Sequence, residues 1–361
     1  MIKKIVLTGG PCGGKSTSIS KIKRKFEEKG FIVLVVNETA TELINMGIKP
    51  FGENKIDMYE FQKYIFSHQL EKEKMIDKYI SDNKDKDIIV LYDRSILDNK
   101  SYVSYEEFDM LLKEFNMTKS DVINRYDMAI HLLTAAKGTD VYTLENNEAR
   151  SETKEEAIIQ DDKTLNCYLG FPHHVIIDNS TSFEDKIDRV IYQIQKSVNG
   201  KLSKVKQRKF LVNNVDNNFI ENSARKISIT QTYLNNDNKD VMVRKIDYSN
   251  SSSYYVSIKT KTNNPEEKIV TERIISEREY NNLIDGRKDF INKTRYCFEK
   301  DNIVYRLDVF DNDLMILEIE GYVDINKLPD EISIVKEVTD DENYTNKNIA
   351  RNLNKKLMLN L

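Results

Sequence analysis

An α/β domain built on a parallel sheet with helices on both faces, followed by an α+β domain built as an antiparallel barrel, is the architecture the sequence predicts. Three observations carry it. The apolar runs Ile5-Val6-Leu7, Phe31 to Val36 and Ile88 to Leu91 are unbroken rather than alternating, as in strands covered on both faces. Helical stretches separate them, which is the rhythm of a parallel sheet. Beyond residue 204 the pattern changes to alternating strands separated by turns. A chain of 361 residues suits two domains of about 150 residues or a little more each. Their expected bounds are 1–198 and 205–361, joined by a polar link at 199–204.

The first apolar run leads directly into Gly9-Gly10-Pro11-Cys12-Gly13-Gly14-Lys15-Ser16, and Thr17 onward reads as a helix. Glycines at this spacing let successive backbone N–H groups turn inward around an anion, and the helix adds the positive end of its dipole. Gly9, Gly10, Pro11, Cys12, Gly13, Gly14, Lys15, Ser16 and Thr17 are therefore expected to cradle the phosphates of ATP or GTP. Lys15 would reach the outer phosphates and the Ser16 hydroxyl would hold Mg²⁺.

The helix should run from Lys15 to about Lys29 and stop at Gly30. Phe31 to Val36 is the next strand, with Glu38 at its carboxyl end, where open α/β sheets place their ligands. Glu38 is either a group that contacts an acceptor hydroxyl or a carboxylate favoured by a helix N-terminus. A long helix follows from Met58 to about Ser81, with Phe61, Ile65, His68, Gln69 and Met75 roughly on one side. The strand Ile88 to Tyr92 ends in Asp93-Arg94-Ser95. Asp93 supplies the acid that a phosphate-loop protein needs for Mg²⁺. Arg94 would grip a phosphate or position the acceptor, or pair with Asp98.

Helical segments between Tyr105 and Asn124 precede the strand Met128 to Leu133. From Ala136 to Thr164 the chain is polar and charged, which reads as a lid or as a solvated charged helix. Arg150 is the residue there best suited to reach transferring phosphate charge, with Lys154 second. His174 to Asn179 completes the sheet, and a helix from Ser182 to about Ser197 closes the domain. His173 and His174 have no cysteine or carboxylate beside them and are expected to be cleft-edge or structural groups rather than metal ligands.

In the second half, strands are expected at 207–213, 226–233, 241–247, 254–262, 268–275, 294–299, 303–310 and 314–320. Each has an apolar and a polar side. Met315, Leu317 and Ile319 oppose Glu318 and Glu320; Tyr305, Leu307 and Val309 oppose Arg306 and Asp308. Apolar sides packed outward on helices would leave a charged interior, whereas an ordinary barrel would put the charged sides in solvent; the alternation fits both.

The net charge is −4, from 55 Lys and Arg against 59 Asp and Glu, with the signs interspersed. That excludes a polyanion-coating role over the whole chain, and no nucleic-acid partner is expected. The three cysteines, Cys12, Cys167 and Cys297, stand far apart without zinc spacing, as in a cytoplasmic protein with reduced thiols. No run approaches the ~20 apolar residues of a membrane span, which leaves only peripheral phospholipid contact open.

With these residues in view, the first half resembles the P-loop ATPase and kinase-like domains related to nicotinamide riboside kinases and deoxynucleoside kinases. The matching features are Gly9 to Ser16, Glu38, Asp93-Arg94, the His131-Leu132 strand, Arg150 and Asp178-Asn179. The second half resembles the CYTH family of triphosphate tunnel metalloenzymes through Arg208 to Val212, Ser257 to Lys259, Lys293 to Tyr296, Asp308 to Phe310, Glu318 to Glu320 and Lys336 to Thr339. The domain order is similar to that of the animal TRPL translocation defect protein.

The first resemblance implies a Mg²⁺-dependent nucleotide-binding domain that phosphorylates a small, nucleoside-like molecule, with Asn179 near the nucleotide. The second implies a tunnel in which Lys209, Arg244, Lys259, Lys293 and Arg295 bind a polyphosphate or another phosphorylated ligand. Glu318 and Glu320 would hold Mg²⁺ or Mn²⁺ there. Two of the family's glutamate positions hold Val205 and Gln207, and an arginine position holds Met242, so binding is the safer expectation than hydrolysis. The alternative to a kinase is a nucleotide-controlled protein whose second domain binds a polyphosphate, an inositol phosphate or a phospholipid head group without turnover.

Overall fold

A computed structural model of the chain describes residues 1–138, 153–199, 201–203, 207–234, 240–261, 267–287, 289–320 and 328–359. The chain divides into two compact units, Met1–Gln195 and Lys196–Leu361.

The first unit runs β1 (Ile2–Thr8), α1 (Lys15–Glu27), β2 (Ile32–Val36), α2 (Thr39–Asn45), α3 (Met58–Asp82), β3 (Ile88–Asp93), a 3₁₀ turn (Ile96–Ser101), α4 (Tyr105–Glu114) and α5 (Lys119–Ile123). It continues with β4 (Met128–Leu132), α6 (Lys154–Cys167), β5 (His174–Ile177) and α7 (Phe183–Asn199). All pairings are parallel, in the order β2-β3-β1-β4-β5. Every residue of β3 is buried, as an unbroken apolar run requires between two helical layers. The chain first builds to one side of β1 and then to the other. The carboxyl end of β1 therefore opens at the switch point where such sheets take ligands.

α1 buries Ile19, Ile22 and Phe26, three and four residues apart, and ends where Gly30 takes φ 86° and turns the chain into β2. α3 differs from the expected pattern. Its buried face is Phe61, Gln62, Phe66, Gln69, Glu73 and Ile80, while Met75 is 68% exposed. The buried polar groups explain the misreading, because they occupy positions that an apolar count skips. The polar stretch 136–164 also differs in its described part. Residues 154–167 form α6, which buries Ala157, Asp161, Thr164 and Leu165, so this part is neither a lid nor a solvated helix. Arg150 lies outside the described residues.

The second unit consists of β6 (Lys201–Ser203), β7 (Gln207–Val215), α8 (Asn217–Ser223), β8 (Arg225–Leu234), β9 (Asp240–Tyr248), β10 (Ser251–Lys261), β11 (Glu267–Ile275) and α9 (Glu277–Ile284). After these come β12 (Phe290–Lys300), β13 (Ile303–Phe310), β14 (Met315–Glu320), β15 (Ile332–Glu337) and α10 (Asn346–Leu359). They form one antiparallel sheet in the order β15-β7-β14-β13-β12-β8-β9-β10-β11-β6. Part of the stretch expected to be a link is β6, which pairs with β11.

Apolar residues take one face of this sheet. Phe210, Phe298, Leu307, Leu317 and Ile319 pack with Ile220 and Phe219 of α8. Val243, Val256 and Ile275 pack with Tyr280 of α9. The opposite face carries Lys293, Asp308 and Glu318, only 3%, 0% and 6% exposed, so it is not a solvated outer surface. At one end of that face Ile291, Phe310 and Ile316 meet Ile349 and Ala350 of α10, giving the charged cluster an apolar floor. Among the described residues no helix is long and apolar enough to cross a membrane.

Leu317 is wholly buried beneath α8, so Leu317→Ala is expected to cost about 2–5 kcal/mol through lost contacts and an unfilled cavity. Hydrogen exchange read separately for the two units would show the loss in β7, β13 and β14 first; an unchanged pattern there would refute this packing.

Candidate functional site

The phosphate loop connects β1 to α1, and its shape depends on residues without side chains. Gly9 has φ 133°, and a Cβ there would stand 2.2 Å from the Leu132 carbonyl oxygen on β4. At Gly10 a Cβ would stand 2.7 Å from that of Asp161. Only glycine lets β1 and its loop lie this close to β4 and α6.

Lys15 folds back, donating from Nζ to the carbonyls of Gly9 and Gly10 at 2.9 Å each. The Ser16 hydroxyl donates to Asp93 Oδ2 at 3.3 Å. Asp93 Oδ1 is buried and has no hydrogen-bond partner. Burial pushes the Asp93 carboxyl up; Lys15 opposes that push and Glu38 adds to it. A hydroxyl beside a buried carboxylate with an open oxygen is a donor set that fits Mg²⁺, with phosphate and water oxygens completing the shell.

Arg94 sits next to that acid in the left-handed region, φ 70°. Its Nε donates to Glu38 Oε1 at 2.6 Å and its Nη1 to Asp98 Oδ1 at 3.2 Å, so both partners weighed for it are present. Asp98 is further held by Thr8 Oγ1 at 2.5 Å, the Ser95 N–H at 2.8 Å and the Tyr168 hydroxyl at 2.5 Å. Burial alone would raise the Glu38 carboxyl, but the charges of Arg94 and Lys15 outweigh it and hold Glu38 down to about 2. Glu38 also accepts from Thr41 Oγ1 at 2.7 Å at the start of α2. It is thus ionised at any physiological pH and held in place.

A cleft of about 620 Å³ opens between the segment after Arg94 and α6, lined in part by Lys100, Tyr102, Tyr105, Gln160, Lys163 and Asn166. Tyr102 is near enough to bear electrostatically on Arg94.

Two residues that sequence reasoning did not assign support the loop. Asp161, wholly buried on α6, accepts at Oδ1 from the Gly10 N–H at 2.7 Å and the Thr134 N–H at 3.3 Å. The same carboxylate meets His131 Nε2 at 3.1 Å and Lys137 Nζ at 3.1 Å. Burial would raise its pKa, but His131, Lys137 and the Gly10 N–H together hold it well below the carboxylate range. Lys186 on α7 donates to the carbonyls of Gly13 at 3.2 Å and Leu133 at 2.8 Å and to Asn179 Oδ1 at 2.7 Å. Burial brings Lys186 down to about 8. Asn179 Nδ2 donates to the carbonyls of Thr134 and Lys137 at 2.8 and 2.7 Å, so its side chain joins the loops after β4 and β5. His174 is buried and packs against Tyr168 and His131, 5.5 and 6.2 Å between ring centres.

On the charged face of the second unit, Lys293 Nζ donates to Asp308 Oδ2 at 2.5 Å. Arg295 donates from Nε to Asp308 Oδ1 at 2.6 Å, and from Nη2 to Asp308 Oδ2 at 2.7 Å and Glu318 Oε2 at 2.6 Å. Lys209 Nζ is 3.2 Å from Glu318 Oε1. Strand register places these five on one side. Arg244 forms a separate group two strands beyond β12, donating to both oxygens of Glu272 at 3.0 Å with its guanidinium over the Tyr255 ring. Ser257 also donates to Glu272. Lys259 shares that side and is exposed. Glu320 pairs with Gln207 in the strand register, two positions beyond the Glu318 and Lys209 pair. Glu318, expected to be a metal ligand, has both oxygens engaged by cations, and among the described residues no three His, Cys, Asp or Glu cluster to hold a metal.

A glycine-rich loop between strand and helix at a switch point, with a hydroxyl and an acid paired at its mouth, defines a P-loop nucleotide-binding domain. The chain belongs to the AAA domain family, which it matches over residues 4–186. Among curated proteins nothing matches it. Similar solved structures include the inorganic triphosphatase NE1496, at 23% identity over 40% of this chain and 92% of that one, TM-score 0.31. The PH1819 protein of Pyrococcus horikoshii OT3 is another, at 17% identity over 42% and 98%, TM-score 0.32.

Asp161→Asn leaves His131 and Lys137 without their buried counter-charge and is expected to cost about 3–5 kcal/mol. Because folding lowers the Asp161 pKa, its contribution is fully present above the ordinary aspartate range and is lost as pH falls below it. Urea unfolding of wild type and variant across acid pH checks both. Curves that stay parallel through the acid range would refute the assignment.

Proposed function

We propose that the first unit binds ATP or GTP with Mg²⁺ and transfers the terminal phosphoryl group to the hydroxyl of a small, nucleoside-like acceptor that meets the Arg94–Glu38 pair. The observation that carries this reading is the Ser16–Asp93 pair with its open carboxylate oxygen, next to an arginine–glutamate pair on the adjoining strand ends. Lys15 exchanges its two loop carbonyls for phosphate oxygens, and the amides of the loop and of the first turn of α1 surround the β-phosphate. Ser16 and Asp93 hold the Mg²⁺, which when bound offsets the charge shared by the outer phosphates.

Glu38 orients the acceptor. A carboxylate held at about 2 is a weak base, so its work is to accept the hydrogen bond of the acceptor hydroxyl and aim that oxygen at the γ-phosphorus. The acceptor O–P bond forms as the bond from phosphorus to the β–γ bridging oxygen breaks; the nucleoside diphosphate leaves with that oxygen and the hydroxyl proton passes to solvent. Arg94 and, from its place in the sequence, Arg150 stabilise the transferring charge. Asp161 and Lys186 act through the loop and are positioning residues.

A second reading has its own support. The face of the second unit that carries Lys209, Lys293 and Arg295 would bind a polyphosphate or another phosphorylated ligand through those cations, since its carboxylates are closed by ion pairs. In that reading the first unit is a nucleotide-controlled switch and the second captures a polyphosphate, an inositol phosphate or a phospholipid head group, in the domain order of the TRPL translocation defect protein.

Transfer of label from γ-labelled ATP and GTP to a pool of nucleosides, with Mg²⁺ present, separates the two. The kinase reading expects acceptor-dependent turnover that falls at least about 100-fold in Lys15→Ala. Nucleotide binding without turnover on any acceptor would contradict it and leave the switch.

A further inference from the structure

The charged face of the second unit is expected from its family likeness to hold Mg²⁺ or Mn²⁺ on carboxylates, and its donor set does not fit one. Mg²⁺ takes six oxygens near ideal octahedral geometry, some of them from the protein. Here Asp308 Oδ1 receives Arg295 Nε, Asp308 Oδ2 receives Lys293 Nζ and Arg295 Nη2, Glu318 Oε2 receives Arg295 Nη2, and Glu318 Oε1 faces Lys209 Nζ. Each of the four carboxylate oxygens already has a cation. Both acids are almost wholly buried, so a metal could reach them only by leaving a buried guanidinium without its counter-charge. Arg295 reaches from β12 across the neighbouring β13 to β14 and bridges the two acids with one guanidinium.

Three cations against two carboxylates leave the cluster with net positive charge, and Arg306 adds to the field at Glu318. Arg295 Nη1 takes part in none of these bonds, and the fork geometry of a guanidinium suits phosphate oxygens. We propose that this face is a metal-independent binding site for a phosphate chain or a densely phosphorylated ring, in which Arg295 takes the place of the divalent ion. This rests on the reading that the second unit binds a phosphorylated ligand.

The test uses the full chain carrying Lys15→Ala, so that the phosphate loop does not contribute. Calorimetric titration with tripolyphosphate, and separately with inositol hexakisphosphate, is run in EDTA and in Mg²⁺ or Mn²⁺; the tighter of the two probes tells an inorganic chain from a phosphorylated ring. Affinity in EDTA is expected within about threefold of that with metal, a difference of about 0.7 kcal/mol or less. Binding at least about tenfold tighter with metal overturns the metal-independent site while the phosphate-binding reading stands. No binding of either probe under any condition overturns both. Arg295→Lys keeps the charge and loses the bridge, freeing a carboxylate oxygen, and is expected to weaken binding in EDTA while making it respond to Mg²⁺. A folded Arg295→Lys variant that binds as tightly and as indifferently to metal as its parent removes Arg295 from the role.

Discussion

The bond from the Gly10 N–H to the buried carboxylate of Asp161 joins the phosphate loop to a helix 151 positions further along the chain, and the first unit's chemistry depends on it. A glycine-rich loop alone has many conformations and a large entropy to lose. Asp161 selects one by fixing the loop's second residue while also accepting from Thr134 and holding His131 and Lys137. Lys186 does the same from the other side, through the carbonyls of Gly13 and Leu133. The loop is thereby shaped before any phosphate arrives, so little binding free energy goes into ordering it.

The same constraint runs through both units: a buried charge is tolerated only when it is matched. In the first unit Asp93 Oδ1, beside the Ser16 hydroxyl at the mouth of the loop, is buried without a hydrogen-bond partner, and the proposed metal position rests on that oxygen. In the second unit the carboxylates are fully matched, and the excess lies on the cationic side. Two clusters with similar residue types therefore have different chemistry. One is short of a cation and the other of an anion.

Much of this was legible in the sequence. Unbroken apolar runs gave the parallel sheet, and two-residue alternation gave the antiparallel one, because those periods follow directly from which faces are covered. Lys15, Ser16, Asp93, Arg94 and Glu38 were found from motif and strand-end position, and the structure brings them together around one loop. What was missed is polar and buried. Asp161 stands four residues from Ala157 and four from Leu165, and Lys186 four from Val190, so both lie on buried helical stripes. A charged residue at such a position was the available signal, but its partners come from distant segments and no local pattern names them. Asp308 and Glu272 were hidden for the same reason, since a strand's alternation says which side a carboxylate takes and not which cation it meets.

The most direct test of the central claim is equilibrium binding of ATP and GTP to the full chain with and without Mg²⁺, for wild type and Asp93→Asn. If Ser16 and Asp93 form the metal position, Mg²⁺ tightens wild-type nucleotide binding at least about tenfold and the variant loses that increment while still folding. An equal Mg²⁺ effect in wild type and Asp93→Asn, or no nucleotide binding by the folded wild-type chain, would contradict the account.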